Sequence, residues 1–552
     1  MVDLAKIEDI ISSTSYITEI LSIEDIDRTI SGKFVLQLEK MPRSLVFSFE
    51  IFSIYPFKFH DRESIKFTNT DLLEYDHVME DGSICIHTSH SVNIKEKLII
   101  DLNSLKDWVL KYYINKETNK KYEHVIINHQ SINDKHSSYI FTDVDYTFKR
   151  GDCGIVELSN LATGSLGNQS IDNHIVQQFV LTDGTKIECQ WSDHYLNQPI
   201  NNKGFFIFTK CPPARYKKFA FKEIIDFTPH MHQSFLNRLY RFNKENTENF
   251  KGTVFPVFIG YDISDELIHW NVLLLEIGKF PIVFDYIVNI AIKKLSNERV
   301  VWAYTHNASY RNYFGRGALN KNITNAKILL IGIGAIGSIL AKSLVKGGCK
   351  FISIADHDTK YPDNVCRSEY NFVSGITKKT DELVEILTQS SPFVEISIIK
   401  DNYFEIPIKQ LSTVPEFENA LISNLNKYDY IFDCTTDNDL MYILDSLKLN
   451  CQLINLSITN HATNLVCAFH PNIYRFVITL FDNILSQDVT DLHEPIGCWH
   501  PTFKASYTDI SLLIQSFIKQ LNYFETNRIT PFNFIVKTAT ENRIATISIN
   551  EY

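Results

Sequence analysis

The stretch from residue 327 to 356 constrains this chain more than any other. Lys327–Ile331 (KILLI) is a short, wholly apolar run, as a strand buried on both faces requires. It leads into Gly332-Ile333-Gly334-Ala335-Ile336-Gly337, then into a helical pattern, SILAKSLVKGG, and then into a second strand, FISIAD, which ends in Asp356. Strand, glycine turn, helix and strand, with an acid 19 residues beyond the last glycine, is the pattern of a nucleotide-binding βαβ unit. One glycine lets the chain turn off the strand, one lets a phosphate approach the backbone, and one lets helix and strand pack closely. The helix N-terminus offers unpaired N–H groups to an anion, and Asp356 can accept bonds from ribose hydroxyls.

The turn alone does not separate a dinucleotide from ATP; the following residues do. Asp356-His357-Asp358 is followed by Asn364 and Arg367 (DNVCRSEYNF), by Lys378 in SGITKKTDE, and by Asp433-Cys434-Thr435-Thr436-Asp437-Asn438 after the strand YDYIF. This order resembles the ThiF/MoeB-like adenylation fold of ubiquitin-activating enzymes. The resemblance implies that Asp356 takes the ribose, that Asn364, Arg367 and Lys378 take the triphosphate of ATP, and that Asp437 is the acid on the side of a Mg²⁺ ion. The acidic segment carries one residue more than the family pattern, so Asp433 or Thr436 is an alternative to Asp437, and Lys379 is an alternative to Lys378. Upstream, Arg311 and Arg316 in SYRNYFGRGAL sit where the family often supplies an arginine to the nucleotide. Such a set suits adenylation, in which negative charge spreads onto pyrophosphate as a carboxylate attacks the α-phosphorus.

Two cysteines stand in segments that chemistry can use. Cys498 lies in EPIGCWHPTF, flanked by Gly and Pro and followed by His500, which can lower a thiol pKa. An adenylated carboxylate is readily attacked by a thiolate, and the pattern is similar to the catalytic loop of bacterial activating enzymes. Cys85 lies in HVMEDGSICIH, between Tyr55-Pro56-Phe57 and a Trp-bearing helical pattern at 102–113. That succession resembles ubiquitin-conjugating enzymes, with Cys85 as the thioester residue. The family's His-Pro-Asn is replaced by His77-Val78-Met79, and His87 is the candidate helper. Cys349 and Cys434 fit packing roles.

The rest of the chain is organised around these segments. With 552 residues, about three to five domains are expected. Residues 1–130 form a mixed α/β unit. Its helix is drawn from Ile7, Ile10, Ile11, Ile17, Ile20 and Leu21, with strands at 33–38 and 44–52. A polar linker at 128–138 separates it from a 139–310 linker domain rich in short strands, whose last part, including IHWNVLLLEI, takes a helical pattern. Residues 311–552 form the adenylation domain with its cysteine loop. The fold class is thus α/β multidomain: a ubiquitin-conjugating-like α+β fold, a β-rich linker domain, and a Rossmann-like ThiF-type domain.

Composition narrows the partners. Lys plus Arg total 54 against 65 Asp plus Glu, and a net charge of −11 does not suit a nucleic-acid binder. No run approaches the roughly 18 apolar residues of a membrane span, and no secretory signal opens the chain, which favours the cytoplasm. The ten cysteines form no CxxC pair, against a structural zinc. The two resemblances together point to the fused activating–conjugating enzymes of bacterial CBASS antiphage operons. The implied acyl donor is the C-terminus of a cGAS-like nucleotidyltransferase, the acceptor an amine-bearing target, and the assembly a homodimer. A ubiquitin-like protein as donor, a sulfur-carrier adenylyltransferase, a NAD-dependent oxidoreductase and a non-enzymatic scaffold are the competing readings.

Overall fold

The computed structural model describes residues 3–60, 62–118, 125–209, 211–264, 267–287, 290–400, 411, 414, 416–459, 461–483, 485, 504–541 and 543–552. The chain divides into two compact units. The first is Met1–Asp134, Phe148–Cys153 and Phe206–Tyr304; the second is Lys135–Thr147, Gly154–Phe205 and Thr305–Tyr552. The residues assigned from sequence to a 139–310 domain therefore fall in both units.

The first unit opens with helix α1, Leu4–Ser12, which buries Ile7, Ile10 and Ile11. The helical pattern drawn as far as Leu21 does not hold beyond Ser12. The hydroxyls of Ser13 and Thr14 each bond back to the Ile10 carbonyl at 2.9 Å, competing with the helical ladder. Ile17, Ile20 and Leu21 lie instead on strand β1, Ile17–Ile26. Strands β2 (Thr29–Leu36), β3 (Leu45–Ile51) and β4 (Ile65–Thr68) complete an antiparallel sheet in sequential order. The strict alternation Leu45, Phe47, Phe49, Ile51 turns one face of β3 inward. There Phe34, Phe47, Phe49 and Phe67 pack with ring centroids 5.7–6.2 Å apart around Phe34. Helix α2, Ile94–Trp108, is capped by Asn93 and adds Leu98, Leu102 and Leu105 to the same core. It starts earlier than the sequence pattern suggests because Asn93 accepts bonds from Lys95 and Glu96 N–H groups.

Further along this unit, helix α3 (Gln233–Phe250) is followed by two long antiparallel strands, Val254–Ser264 and Leu267–Glu276. The second corrects the helical reading of IHWNVLLLEI. Residues 269–275 are buried without alternation, His269 and Asn271 included, and a run buried on both faces has no period to separate strand from helix.

In the second unit, strand Gln169–Leu181 pairs parallel with Lys135–Phe141 and antiparallel with residues 154–160. The larger part is an eight-stranded sheet. Its strands are β5 (Lys327–Ile331), β6 (Phe351–Ala355), β7 (Glu395–Ile398), β8 (Tyr430–Asp433), β9 (Gln452–Ile458), β10 (Asn464–Phe469), β11 (Phe534–Glu541) and β12 (Ile544–Glu551). The order is β7-β6-β5-β8-β9-β10-β11-β12, with the first five parallel and the rest antiparallel. Alternate residues of β5 enter two separate cores. Ile328 and Leu330 meet helices α4 (Ala335–Lys346), α5 (Lys379–Ser390) and α8 (Tyr507–Asn527), while Leu329 and Ile331 meet α6 (Glu416–Leu425) and α7 (Asn438–Ser446). The sheet is covered on both faces, which is why KILLI carries no polar residue after Lys327.

Candidate functional site

Because β6 lies on one side of β5 and β8 on the other, the strand order reverses at β5, and the crevice opens at the strands' C-terminal ends. Register brings the relevant residues together there, pairing Ile331 with Ala355 and with Asp433. The glycines follow directly. Gly332 has φ +77°, and a Cβ on it would stand 2.8 Å from Thr435 Cγ2. A Cβ on Gly337 would stand 2.0 Å from the Gly332 oxygen, so α4 can start this close to β5 only with glycine there. Gly334 differs: it is the N-cap of α4, no side chain caps that end, and a Cβ would meet nothing within 4 Å. The first turn of α4 therefore faces open space, the cradle a phosphate group fills. Asp356 stands at its side. Its Oδ2 accepts from Ile333 N at 2.8 Å and its Oδ1 from Asp358 N at 2.8 Å, so it fixes the turn as well as facing the crevice.

The other predicted nucleotide residues divide. Asn364 and Arg367 lie on one 3₁₀ turn, Pro362–Arg367, where Asn364 Oδ1 accepts from Tyr361 N at 3.0 Å. Lys378 pairs in register with Thr359, three residues after Asp356, which brings it to the same edge. Its neighbour Lys379 is engaged with Asp358 at 2.6 Å, while Lys378 is exposed. Asp437 is the N-cap of α7, and both N–H bonds it accepts, from Asp439 (2.9 Å) and Leu440 (3.1 Å), fall on Oδ1. Asp433 is buried, bonded to Thr435 and to Asn455 Nδ2, and burial raises its carboxyl pKa. It is the poorer candidate for an ion, being enclosed and fully partnered. Arg316 is exposed just beyond the helix Tyr310–Phe314, and no contact among the described residues ties it to the crevice.

Several supports have no motif to announce them. Tyr370 donates to the Ile333 carbonyl at 2.5 Å, and buried Lys360 pairs with Glu382 at 2.8 Å, bracing the segment that carries Arg367 and Lys378. Tyr507, at the start of α8, donates to Glu369 at 2.6 Å, a bond that pushes its pKa up to about 12. Cys498 and His500 lie outside the described residues. Cys349 and Cys434 are buried, and burial raises both thiols.

Cys85 belongs to the first unit. From Ile84 to His87 burial alternates: Ile84 and Ile86 are inside, Cys85 and His87 face outward together. Cys85 N donates to the His77 carbonyl at 2.8 Å, and Sγ stands 3.7 Å from His87 Nε2. Burial pushes the thiol pKa up, so forming a thiolate here requires a base, and the imidazole is the adjacent one. Both side chains open into a cleft of about 1210 Å³ that is also lined by Phe59, Met79, Asn128 and Trp302.

A doubly wound sheet with a glycine turn, an open helix N-terminus and an acid beside it defines a nucleotide-binding α/β domain. Residues 305–472 match the ThiF family, so the chain carries a ThiF-family domain. Over 230 residues, 40% of this chain and 36% of the relative, the chain is 30% identical to the ATP-dependent ubiquitin transferase-like protein Cap2 of Enterobacter hormaechei subsp. hoffmannii (strain UCI 50). It is 26% identical over 128 residues, 23% of this chain and 26% of the relative, to tRNA threonylcarbamoyladenosine dehydratase 2 of Saccharomyces cerevisiae (strain ATCC 204508 / S288c). The matches thus span about a third or less of these relatives' lengths. Among solved structures, E. coli MccB with ATP aligns over 42% of this chain and 65% of that one, at 15% identity and a TM-score of 0.28.

Proposed function

We propose that this chain uses ATP to adenylate the C-terminal carboxylate of a protein, passes the acyl group to Cys498 and then to Cys85 as thioesters, and delivers it to an amine. The observation that carries the first step is the uncapped N-terminus of α4 beside Asp356, inside a ThiF-family segment. ATP supplies the electrophilic phosphorus and the leaving pyrophosphate. The protein's own share is to hold them. The first-turn N–H groups of α4 receive phosphate oxygens, Asp356 orients the ribose, and Asn364, Arg367 and Lys378 offset the charge that moves onto pyrophosphate. Asp437 has Oδ2 outside its capping bonds and is the residue to meet a Mg²⁺ that accompanies the triphosphate.

The second step is supported by the Cys85–His87 pair in its cleft and by an element order of helix, four-stranded meander, cysteine segment and helix. Cys85 receives the acyl group by thioester exchange, which is nearly isoenergetic and needs only a positioned thiolate. A cGAS-like nucleotidyltransferase is the donor this reading favours, and a two-fold dimer through residues 311–552 is the assembly. The test is carboxylate-dependent pyrophosphate exchange. Asp356→Ala and Arg367→Ala should each abolish it with the donor present; retained exchange in both rejects the nucleotide site. Running the assay with a cGAS-like protein and with a ubiquitin-like protein decides between the donors.

A further inference from the structure

Behind the Cys85 segment lies a buried group of charges that the adenylation and transfer steps do not use. Lys97 and Asp101 sit one turn apart on α2 and are 1% and 0% exposed. The Lys97 ammonium spends its three donors on Asp101 Oδ1, on Glu63 Oε2 at 3.0 Å and on Thr88 Oγ1 at 2.8 Å. Thr88 Oγ1 donates onward to Asp101 Oδ1 at 2.7 Å, and Thr88 N donates to Glu63 Oε1 at 3.1 Å. Tyr55 donates to the other Asp101 oxygen at 2.9 Å, and Lys58 pairs with Glu63 at 2.8 Å. Two ammonium groups face two carboxylates, and among the described bonds each carboxylate oxygen has a partner. Buried networks satisfied in this way are rigid.

We propose that Thr88 is the positioning residue of the Cys85 site, its backbone and hydroxyl clamped by Glu63, Lys97 and Asp101 so that His87 is held against Cys85. The alternation of the segment makes the link direct. His87 points out beside Cys85, and the next residue points in, to the charges. Thr88 is held at both ends, N–H and Oγ1, so the rotation of the preceding peptide, and with it the placement of the imidazole, is fixed from inside the core. A loop carrying the same pair without the clamp samples many separations, and a base acts only within hydrogen-bond reach. This inference rests on the reading of Cys85 as a nucleophile served by His87, and the experiment keeps the two apart.

The experiment measures the rate at which iodoacetamide alkylates Cys85 in the full-length protein at neutral pH. Modification is followed by mass spectrometry on the Cys85 peptide, because Cys211 and Cys366 are also exposed. His87→Ala should slow alkylation about tenfold, Thr88→Val by a similar factor, and Thr88→Ser, which keeps the hydroxyl, hardly at all. An unchanged rate in His87→Ala rejects the imidazole as base. A slowed His87→Ala beside a Thr88→Val at the wild-type rate leaves that base in place and overturns the clamp. Should Thr88→Val fail to fold, as judged by circular dichroism, Tyr55→Phe decides. It removes one bond at the far side of Asp101 without reaching the cleft, so a fall of about twofold sustains the clamp and a wild-type rate overturns it.

Discussion

The two candidate sites are built from different materials. At the crevice of β5 and α4 the working surface is backbone: three glycines, an open helix end and one carboxylate that fixes the turn. At Cys85 it is side chain: a thiol and an imidazole on an extended segment, with a charged network packed underneath. The difference teaches where each is vulnerable. A backbone site fails when atoms are added at its tight positions, because Gly332 and Gly337 have no room for a side chain. A side-chain site fails when an atom is removed, because buried charges left without partners are costly.

The largest expected effects switch off one site and spare the other. Gly337→Val places its branched side chain where a Cβ alone would sit 2.0 Å from the Gly332 oxygen, and it should cost pyrophosphate exchange roughly a hundredfold or more. Cys85→Ala should leave that exchange intact and abolish the conjugated product, while Cys498→Ala should leave exchange and remove every thioester. Non-reducing gels with ATP and the donor protein read both outcomes. A Cys85→Ala chain that still modifies its target at the wild-type rate removes the first unit from the chemistry.

The same contrast decides what the sequence makes legible. A backbone site writes itself as glycines at fixed spacing, because no other residue fits Gly332 or Gly337, and the acid after β6 falls at the expected distance. The Cys85–His87 pair is legible for a related reason: Ile-Cys-Ile-His alternates, so the two polar residues share a face. The network is not legible. Glu63, Thr88, Lys97 and Asp101 meet only because α2 packs over the cysteine segment, and a lysine and an aspartate four apart on a helix normally indicate a solvated face. Periodicity failed where competing bonds or double burial removed its signal. The hydroxyls of Ser13 and Thr14 end α1, and the 267–276 strand is buried from 269 to 275 without alternation, His269 and Asn271 included.

Truncating the network should therefore be costly in stability. Lys97→Met keeps the length of the side chain but takes the ammonium from buried Asp101, which keeps only the Tyr55 and Thr88 hydroxyls among the described bonds while Glu63 keeps Lys58, and it should destabilise the first unit by about 3–5 kcal/mol. Hydrogen exchange in α2 measures this locally, since two units need not unfold together. Acid should reach the same network more gently. Burial alone would raise the Glu63 carboxyl, but bonds from Lys58, Lys97 and Thr88 N outweigh it and hold the pKa at about 2 against the usual 4.5. A carboxylate depressed in the folded state binds its proton more readily when unfolded. Its contribution is complete above pH 4.5 and is lost as pH falls toward about 2. Protection of α2 should fall across that window, by on the order of 2 kcal/mol, and Glu63→Gln should flatten the dependence.

The smallest effect sharpens the comparison at the one residue where both designs meet. Asp437 is a side chain serving a backbone site, and its capping role and its proposed metal role use different atoms. The two N–H groups of α7 bond to Oδ1 alone. Asparagine keeps an oxygen in that position, whereas alanine removes it. Asp437→Ala should then weaken α7 by about 1 kcal/mol and Asp437→Asn by only a few tenths, read as hydrogen-exchange protection over Asn438–Ser446. Pyrophosphate exchange separates the roles further. If the carboxylate meets the metal, both variants lose exchange in proportion to the missing charge, although only one loses the cap. If exchange follows the cap, falling in Asp437→Ala and persisting in Asp437→Asn, the residue shapes the crevice and the metal-side acid must be sought elsewhere along the β8 edge.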